Sequence, residues 1–225
     1  MSGLGAPRLH LARTDSTNER AKALAREAPH GLVVTATEQT AGHGRQGRSW
    51  TTPPGEALLM SVVLHEWTGL LPLAAAVAVA HTADAGAQIK WPNDILIEGR
   101  KVAGILVEVR PQEGWAVLGI GVNVAVTAFP DELRDVAGSL GRPASAIEPF
   151  LGELLAALDR WLAAPADEVL GAWRERDALR GQPVRWRDGE GTGGGIDEQG
   201  RLVVVLGDGE RVVLEAGEVH LARTN

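Results

Sequence analysis

The sequence contains no cysteine and no tyrosine, and only three of its 225 residues are lysine, against 19 arginines. The lack of cysteine excludes a disulfide framework, a thiolate zinc site, an iron–sulfur cluster and a cysteine nucleophile. The most apolar stretch, residues 70–80, is too short to span a bilayer and is interrupted by Pro72. We therefore expect neither a disulfide-stabilised secreted domain nor a membrane protein.

The remaining composition is that of an ordinary folded protein. Hydrophobic residues make up 44% of the chain and charged residues 23%, which is typical of globular and not of disordered proteins. The length allows one large domain, or a medium-sized domain with a small appendage. A formal net charge of −7 argues against extensive binding to nucleic acid or to an anionic membrane. The first residues show no secretory pattern, so we expect a cytoplasmic protein.

Short β-like runs joined by tight turns alternate with a few helical segments in the first four fifths of the chain. Ser16 and Glu19 stand at the spacing of a capping box, which predicts that a helix begins near Thr17. Residues 40–55 are rich in glycine and proline and are predicted to form a loop. The pattern favours a mixed or antiparallel sheet over repeated βαβ units. The other predicted elements are strands at 8–13, 32–38, 57–64, 88–91, 95–98, 101–109 and 115–124, and helices at 71–85, 147–162 and 166–179.

From Gly181 onward the sequence consists of short β-like runs separated by glycine-rich turns. This pattern predicts a small β-barrel, in which interior and exterior positions alternate along each strand. The run of three glycines, Gly193–Gly195, is interpreted as one of its turns. We therefore divide the chain into a first domain of residues 1–178 and a C-terminal domain of residues 179–225. The predicted strands of the barrel are 183–187, 191–196, 201–206 and 211–214.

The segment Gly42–Arg48 (GHGRQGR) has the glycine spacing of a dinucleotide-binding loop, but its context does not fit. Such a loop must open a helix whose N-terminus holds a pyrophosphate, whereas here Thr51–Gly55 (TTPPG) follows. What remains is a flexible loop in which His43, Arg45 and Arg48 stand among glycines. Glycine lets backbone N–H groups approach an anion, and arginine offers a planar fork to a phosphate or carboxylate. A solvated surface loop is the alternative interpretation.

Three further segments carry polar residues or glycines in places that suggest a site. Pro92 disfavours helix in the residue before it, so Lys90 is predicted to lie at a strand end. There it either neutralises an anion or is simply exposed before a turn. Ser16 is explained as a helix cap, but Asn18 is not. Gly119–Val124 (GIGVNV) has glycines within a strand pattern, which indicates a bulge or the close approach of a ligand.

Taken in order, these segments resemble the biotin–protein ligase family. The resemblance is carried by Ser16–Asn18 (STN), Glu38–Trp50 (EQTAGHGRQGRSW), Lys90–Asp94 (KWPND), Arg100–Glu108 (RKVAGILVE) and Gly119–Val124. It extends from about Arg8 to the C-terminus, because the last part of the chain is similar to the family's small SH3-like domain. The fold that it implies is α+β. A mixed sheet flanked by helices, similar to class II aminoacyl-tRNA synthetases, is followed by an SH3-like β-barrel.

The resemblance implies an enzyme that makes biotinyl-5′-adenylate from biotin and ATP, with Mg²⁺ carried by ATP rather than by protein ligands. It would then transfer the biotinyl group to one lysine of a biotin carboxyl carrier protein domain in a biotin-dependent carboxylase. A homodimer is a possible assembly, and neither nucleic acid nor a membrane is an expected partner. The residues assigned to biotin are Ser16, Thr17, Asn18, Gln39, His43, Gly44, Arg45 and Lys90, with Lys90 and Arg45 expected to be catalytic. Those assigned to the nucleotide or adenylate are Arg48, Trp50, Asn93, Asp94, Gly121 and Asn123.

One residue departs from the family's pattern. The family's loop usually reads Gly-Arg-Gly-Arg, whereas His43 stands here at the first arginine. Histidine is only partly charged near neutral pH. The resemblance therefore implies weaker or pH-dependent retention of the adenylate.

Three alternatives remain beside this interpretation. A lipoate–protein ligase would share the fold and the adenylation chemistry, although the Gly42–Arg48 loop and the KWPND segment favour biotin. Some family members carry an N-terminal helix-turn-helix and act as repressors. Only about seven residues precede the first predicted strand and the chain is acidic, so we expect no DNA-binding domain. A non-enzymatic binding module that uses the C-terminal barrel is the third alternative.

Overall fold

The computed structural model describes residues 3–215 and 217–221, which form a large and a small β-sheet with four α-helices. The strands of the large sheet are β1 (Arg8–Thr14), β2 (Val33–Gln39), β3 (Ala57–Leu64), β4 (Gln88–Lys90), β5 (Asp94–Ile97), β6 (Arg100–Arg110) and β7 (Trp115–Asn123). The strands of the small sheet are β8 (Pro183–Trp186), β9 (Gly189–Ile196), β10 (Leu202–Val205), β11 (Arg211–Leu214) and β12 (His220–Leu221). The helices are α1 (Thr17–Leu24), α2 (Leu71–Ala83), α3 (Ile147–Leu162) and α4 (Ala166–Arg174).

The large sheet is mixed, as the sequence predicts. Its strand order is β1-β2-β3-β7-β6-β5-β4, in which β1 and β2 are parallel and every other neighbouring pair is antiparallel. One face is covered by α2, α3 and α4, and α2 is buried on nearly all sides because it lies between the sheet and the other two helices. The other face carries α1 over a smaller core that includes Val34, Val63 and Val117. Beside α1 this second face is left to the loop of residues 40–56.

The elements agree closely with the sequence predictions, with two corrections. Ser16 caps α1, and its Oγ accepts a hydrogen bond from the Glu19 N–H (3.5 Å). The last helix ends at Arg174 and not at residue 179, because the chain that follows pairs with β4. Gly193–Gly195 lies within β9, so the predicted turn is wrong. The Leu179 carbonyl oxygen passes so close to Gly193 that a side chain there would collide with it.

The chain after α4 is joined to the large sheet before it enters the small one. The Ile89 N–H donates to the Arg176 carbonyl (2.7 Å), and the Ile89 carbonyl accepts from the Ala178 N–H (3.0 Å). The small sheet is antiparallel with the order β11-β10-β9-β8-β12, which agrees with a small SH3-like domain. The exact boundary after residue 178 stays a prediction. None of the helices within residues 3–215 and 217–221 is long and apolar enough to cross a membrane.

Candidate functional site

One row of residues across the large sheet lacks side chains in its middle and carries charges at its end. In this row Leu59 pairs with Gly121, Gly121 with Gly104, Gly104 with Asp94, and Asp94 with Lys90. The two glycines leave a gap on the face that α1 only partly covers. The Trp50 indole lies in this gap, and a Cβ on Gly121 or Gly104 would come within 2.6 Å or 3.1 Å of its ring atoms. The row therefore forms a floor for a flat group.

Three cationic side chains, Lys90, Lys101 and Arg45, lie near Asp94 at the end of this row, and Arg48 lies near two of them. The Lys101 Nζ lies 2.6 Å from Asp94 Oδ1 and 5.5 Å from the centroid of the Trp50 ring. Burial lowers the pKa of Lys90, the charge of Asp94 opposes this effect, and the charges of Lys101 and Arg48 add to it. Burial lowers the pKa of the Arg45 guanidinium as well, again opposed by Asp94 and reinforced by Arg48. Several positive charges thus share a single carboxylate, an arrangement suited to binding anions.

A second, polar cluster lies where α1 meets the middle strands of the sheet. Gln39 Oε1 accepts hydrogen bonds from the Thr17 N–H (2.6 Å) and hydroxyl (2.9 Å). The Ser61 hydroxyl lies 2.8 Å from Thr17 Oγ1 and 2.6 Å from Asn18 Oδ1. Ser16, Thr17, Asn18 and Ser61 are all buried. Gly119, which pairs with Ser61, faces Asn18 so closely that a Cβ would lie 2.8 Å from Asn18 Cγ.

Glu108 ties this polar cluster to the last turn of α1. Its carboxylate accepts hydrogen bonds from Asn18 Nδ2 (2.9 Å) and Lys22 Nζ (2.8 Å). Lys22 also pairs with Glu19 (2.7 Å), whose carboxylate lies 3.9 Å from His43 Nε2. Burial alone would raise the pKa of Glu108, but the hydrogen bonds from Lys22 and Asn18 hold it below its usual value. The network fixes Asn18 from the β6 side and brings His43 close to α1.

This network predicts a pH dependence of stability. The pKa of Glu108 is lower in the folded than in the unfolded chain, so its contribution is complete above the ordinary glutamate range, near pH 4.3, and is lost as the pH falls through the folded pKa. We expect Glu108→Gln to unfold at lower denaturant concentration than wild type at pH 7, and the difference to shrink below about pH 4. Glu190→Gln, in the exposed pair with Arg185, is the control. An equal gap at pH 7 and pH 3.5 would contradict the prediction.

The glycine- and arginine-containing loop folds over a cavity of about 450 Å³ beside these two clusters. The Gly44 N–H donates to the Arg48 carbonyl (2.6 Å) and the Trp50 N–H to the Gly42 carbonyl (2.9 Å), which closes the loop as a narrow hairpin. The Arg48 side chain pairs with Glu218 of the C-terminal domain. The cavity is lined by Glu19, His43, Gly44, Arg45, Gln46, Gly47, Leu106 and Glu108.

Two asparagines assigned from the sequence lie at the edge of these clusters. Asn93 Nδ2 donates to the Ile105 carbonyl (2.8 Å), so its amide braces the turn after β4 against β6. Asn123 Nδ2 donates to the Gly138 carbonyl (2.9 Å). Its Oδ1, like Trp50 Nε1, is buried without a hydrogen-bond partner among the described residues. The site thus holds an unused acceptor and an unused donor.

Sequence reasoning missed Lys101, Ser61, Glu108 and Lys22 as members of the site. Lys101 could not be placed by alternation, because a β-bulge between Ala103 and Lys101 shifts the pairing of β6 with β5 by one residue. The bulge turns Lys101 to the face of Gly104, where its Cε lies 3.2 Å from the position of a Cβ on that glycine. Ser61 did leave a signal, since it is the single polar residue in the apolar run of β3.

No cluster of three or more His, Asp or Glu side chains that could hold a metal occurs within the described part of the chain. Asp94 is engaged by Lys101, and Glu108 by Asn18 and Lys22. These carboxylates are therefore already paired, and the remaining N–H groups and positive charges of the site suit the oxygens of an anion. That Mg²⁺ arrives bound to a nucleotide stays a prediction.

Two parts of the sequence match the sequence models of known families. Residues 10–124, about half of the chain, match the sequence model of the Biotin/lipoate A/B protein ligase family. The chain belongs to this family. Residues 181–221 match the Biotin protein ligase C terminal domain, which covers most of the small sheet.

Two relatives within the ligase family illustrate the extent of the similarity. The Biotin--[acetyl-CoA-carboxylase] ligase of Paracoccus denitrificans is 37% identical, over 93% of this chain and 98% of the relative. The Bifunctional ligase/repressor BirA of Bacillus spizizenii is 44% identical over 59% of this chain and 46% of the relative. The matched stretch thus spans about half the length of the Bacillus protein but nearly all of the Paracoccus protein.

The fold of the ligase family is also found among solved structures. The biotin protein ligase from Aquifex aeolicus, in complex with biotin and ATP, superposes with a TM-score of 0.82 at 26% identity. The superposition covers 96% of this chain and 99% of that chain. It includes the small C-terminal sheet, so both parts of the fold agree with those of a ligase.

Proposed function

We propose that this chain is a biotin–protein ligase. It condenses biotin with ATP to biotinyl-5′-AMP and then passes the biotinyl group to one lysine of a carrier domain of a biotin-dependent carboxylase. The observation that carries the proposal is the convergence of Lys90, Lys101 and Arg45 on one carboxylate, Asp94, at the end of a glycine floor.

The charge of this cluster matches what the first step requires. An oxygen of the biotin carboxylate attacks the α-phosphorus of ATP, a new O–P bond forms, and the bond to the β-phosphate oxygen breaks to release pyrophosphate. Two anions must meet, and negative charge develops on the phosphoryl oxygens. Lys90, Lys101 and Arg45 offset the repulsion and stabilise that charge from fixed positions. Mg²⁺, held by the phosphate oxygens, supplies further neutralisation when bound.

The second step asks less of the protein. The nitrogen of a neutral lysine attacks the carbonyl carbon of the mixed anhydride, the bond to the AMP oxygen breaks, and the amine loses a proton. Because the anhydride is already activated, positioning of the amine supplies most of the rate. The glycine-containing loop above the cavity excludes water from the adenylate between its formation and the attack of the lysine amine.

The polar cluster is assigned to the biotin end of the substrate. Thr17 and Asn18, which are buried, form a hydrogen-bonded wall with the half-buried Gln39. Gln39 Nε2 points to Gly42, where a Cβ would lie only 2.7 Å away, so the loop and the wall are in contact. A ureido ring carries N–H donors and a carbonyl acceptor that such a wall can pair.

The base of the nucleotide is assigned to the neighbourhood of Trp50 and Asn123. Both offer a flat or polar group on the same face of β7, and each has a buried polar atom without a partner among the described residues. A purine presents a π face for stacking and both donors and acceptors at its edge. This placement leaves Asn93 to hold the turn that carries Asp94.

The direct test is mass spectrometry of the purified protein after incubation with biotin, ATP and Mg²⁺. We expect a retained biotinyl-adenylate and release of pyrophosphate that depends on biotin. Lipoate in place of biotin is the discriminating arm, because the alternative of a lipoate–protein ligase predicts the opposite preference. Absence of an adenylate with either acid would reject the proposed function.

Arg45 is expected to hold the adenylate after it forms. Its guanidinium is half-buried at the cavity, and loss of one charge-assisted hydrogen bond costs about 1.5–3 kcal/mol. Arg45→Ala should therefore release biotinyl-adenylate about 10- to 100-fold faster in a chase experiment. Arg187→Ala, which removes an exposed arginine of the C-terminal domain, is the control. An unchanged release rate would refute the assignment of Arg45 to the adenylate.

The remaining features of the proposal concern partners and place. The proposed protein partner is a biotin carboxyl carrier protein domain of a carboxylase. The name of the Paracoccus relative gives acetyl-CoA carboxylase as the substrate of that protein. The use of ATP and of a carboxylase favours the cytoplasm. We propose no nucleic-acid partner, because the net charge of −7 would repel phosphate backbones. That the protein forms a homodimer stays a prediction.

A further inference from the structure

The two neighbours of Lys90 in the chain are both held by the C-terminal part of the molecule. Ile89 exchanges two backbone hydrogen bonds with Arg176 and Ala178, and Trp91 donates its indole N–H to the Gly200 carbonyl (3.1 Å). Trp91 is 3% exposed, so this last bond is made in the core between the domains. Strand β4 has only three residues and is the last strand of the large sheet, so these contacts hold it on the side away from β5.

The Gly200 turn has little freedom of its own. Gly200 lies in the left-handed region (φ +77°), and a Cβ there would come within 2.8 Å of Leu73 Cδ2 on α2. Asp197 closes the turn, because its Oδ1 accepts hydrogen bonds from the N–H groups of Gln199 and Arg201. The Gly200 carbonyl, which accepts the hydrogen bond from the Trp91 indole, therefore belongs to a rigid turn that packs against α2.

The segment between α4 and β8 is fixed in the same way. Arg176 Nη1 donates to the carbonyls of Ala85 (3.1 Å) and Ala87 (2.8 Å), just before β4. Arg174 Nη2 donates to the Ile196 carbonyl at the end of β9 (3.2 Å). The segment after α4 is thus attached to the chain just before β4, and the last residue of α4 is attached to the small sheet.

From these contacts, and on the basis of the proposed function, we infer that the C-terminal domain positions Lys90 for adenylate formation, with Trp91 as the positioning residue. The indole acts through the backbone of the neighbouring lysine and touches no reacting atom. A shift of about 1 Å in a group that meets two anions is enough to lower the rate severalfold to 100-fold. The effect should fall on the first step and not on the binding of biotin, because the polar wall of Thr17, Asn18 and Gln39 lies at the other end of the site.

Trp91→Phe tests this inference, because it removes the indole N–H and keeps most of the buried aromatic volume. Trp115→Phe is a closely matched control. Trp115 is 4% exposed and its indole donates to Glu113 Oε2 at the same 3.1 Å, but it lies at the far end of β7. Both variants are measured by biotin-dependent ATP–pyrophosphate exchange, and by transfer from supplied biotinyl-adenylate to a carrier domain.

We expect Trp91→Phe to lower kcat for exchange about 10-fold, with the KM for biotin changed less than about twofold and transfer from supplied adenylate unchanged. Trp115→Phe should match wild type in kcat for exchange, in the KM for biotin and in the rate of transfer. The alkaline limb of the exchange profile should also move to higher pH in Trp91→Phe. A relaxed Lys90 is less buried, and its charge then persists to higher pH beside Asp94, Lys101, Arg45 and Arg48.

Equal exchange rates in Trp91→Phe and Trp115→Phe would overturn the inference, as would equal losses in exchange and transfer. If Trp91→Phe does not fold, Arg176→Met replaces it. This variant removes the hydrogen bonds to the Ala85 and Ala87 carbonyls before β4, and the same exchange and transfer rates are measured. A wild-type protein without biotin-dependent exchange would instead reject the proposed function, so the two failures are distinguishable.

Discussion

Replacing Lys101 with methionine is expected to lower the rate of biotinyl-adenylate formation at least about 100-fold, the size of effect seen when one fixed hydrogen-bond donor to a developing anion is removed. The reason is its place in the site. The ammonium lies beside Asp94 and over the edge of the glycine floor, where the carboxylate and the α-phosphate must meet. Pyrophosphate exchange measured under saturating biotin and ATP would show the loss in kcat.

The same position allows a sharper comparison with arginine. The end of the Lys101 side chain lies over Gly104 and beside the Trp50 indole, with its Nζ 2.6 Å from Asp94 Oδ1, and a planar guanidinium cannot reproduce this position of the charge. Lys101→Arg should therefore keep the charge but recover only a small part of the activity. Arg185→Met, an exposed change of the same charge in the C-terminal domain, is the control for net charge. Full activity of Lys101→Met in a folded protein would exclude Lys101 from the reaction.

Gly119→Ala is expected to weaken biotin binding at least about 10-fold and to lower the free energy of unfolding by about 1–3 kcal/mol, the usual cost of overpacking. The new methyl group would lie 2.8 Å from Asn18 Cγ and nearer still to its Oδ1. Asn18 cannot move away without breaking its hydrogen bonds with Ser61 and Glu108. Calorimetric titration with biotin and denaturant unfolding measure the two effects.

Gly207→Ala separates this collision from the general effect of adding a methyl group. Nothing lies within 4 Å of a Cβ at Gly207, so its unfolding free energy should stay within about 0.5 kcal/mol of wild type. Its biotin affinity should not change. Normal biotin affinity in Gly119→Ala would show that the polar wall does not bind the substrate.

The sequence was sufficient wherever local pattern decides the structure. The continuous apolar run of β3 and the cap at Ser16 placed their elements correctly, because burial and capping act on neighbouring residues. The end of α4 could not be read in this way, since it depends on Ile89, almost 90 residues earlier in the chain. The same holds for Gly193, whose interpretation as a turn ignored the backbone of Leu179.

The residues of the candidate site also separate into those that local sequence pattern marks and those that only long-range contacts bring together. Lys90 and Asp94 were assigned to the site through the resemblance carried by the KWPND segment. Pro92 by itself predicts only that Lys90 lies at a strand end, as it does at the end of β4. Lys101 was missed as a site residue because one extra residue in β6 reverses the face to which it points. Glu108 and Lys22 belong to a contact across 86 residues that no spacing rule contains. Motifs reveal which segments matter, whereas bulges and long-range pairs decide which side chains meet.

The pairing of Ile89 with Arg176 and Ala178 also limits how copies of this protein can aggregate. The outer side of β4 is already occupied by these backbone hydrogen bonds. Among residues 3–215 and 217–221, no backbone bridge reaches the outer side of β1. A fibril that grows by extending the large sheet needs a free edge on both sides of every copy. The large sheet has one free edge, at β1. Once two copies have paired through their β1 strands, no free edge remains for a third copy.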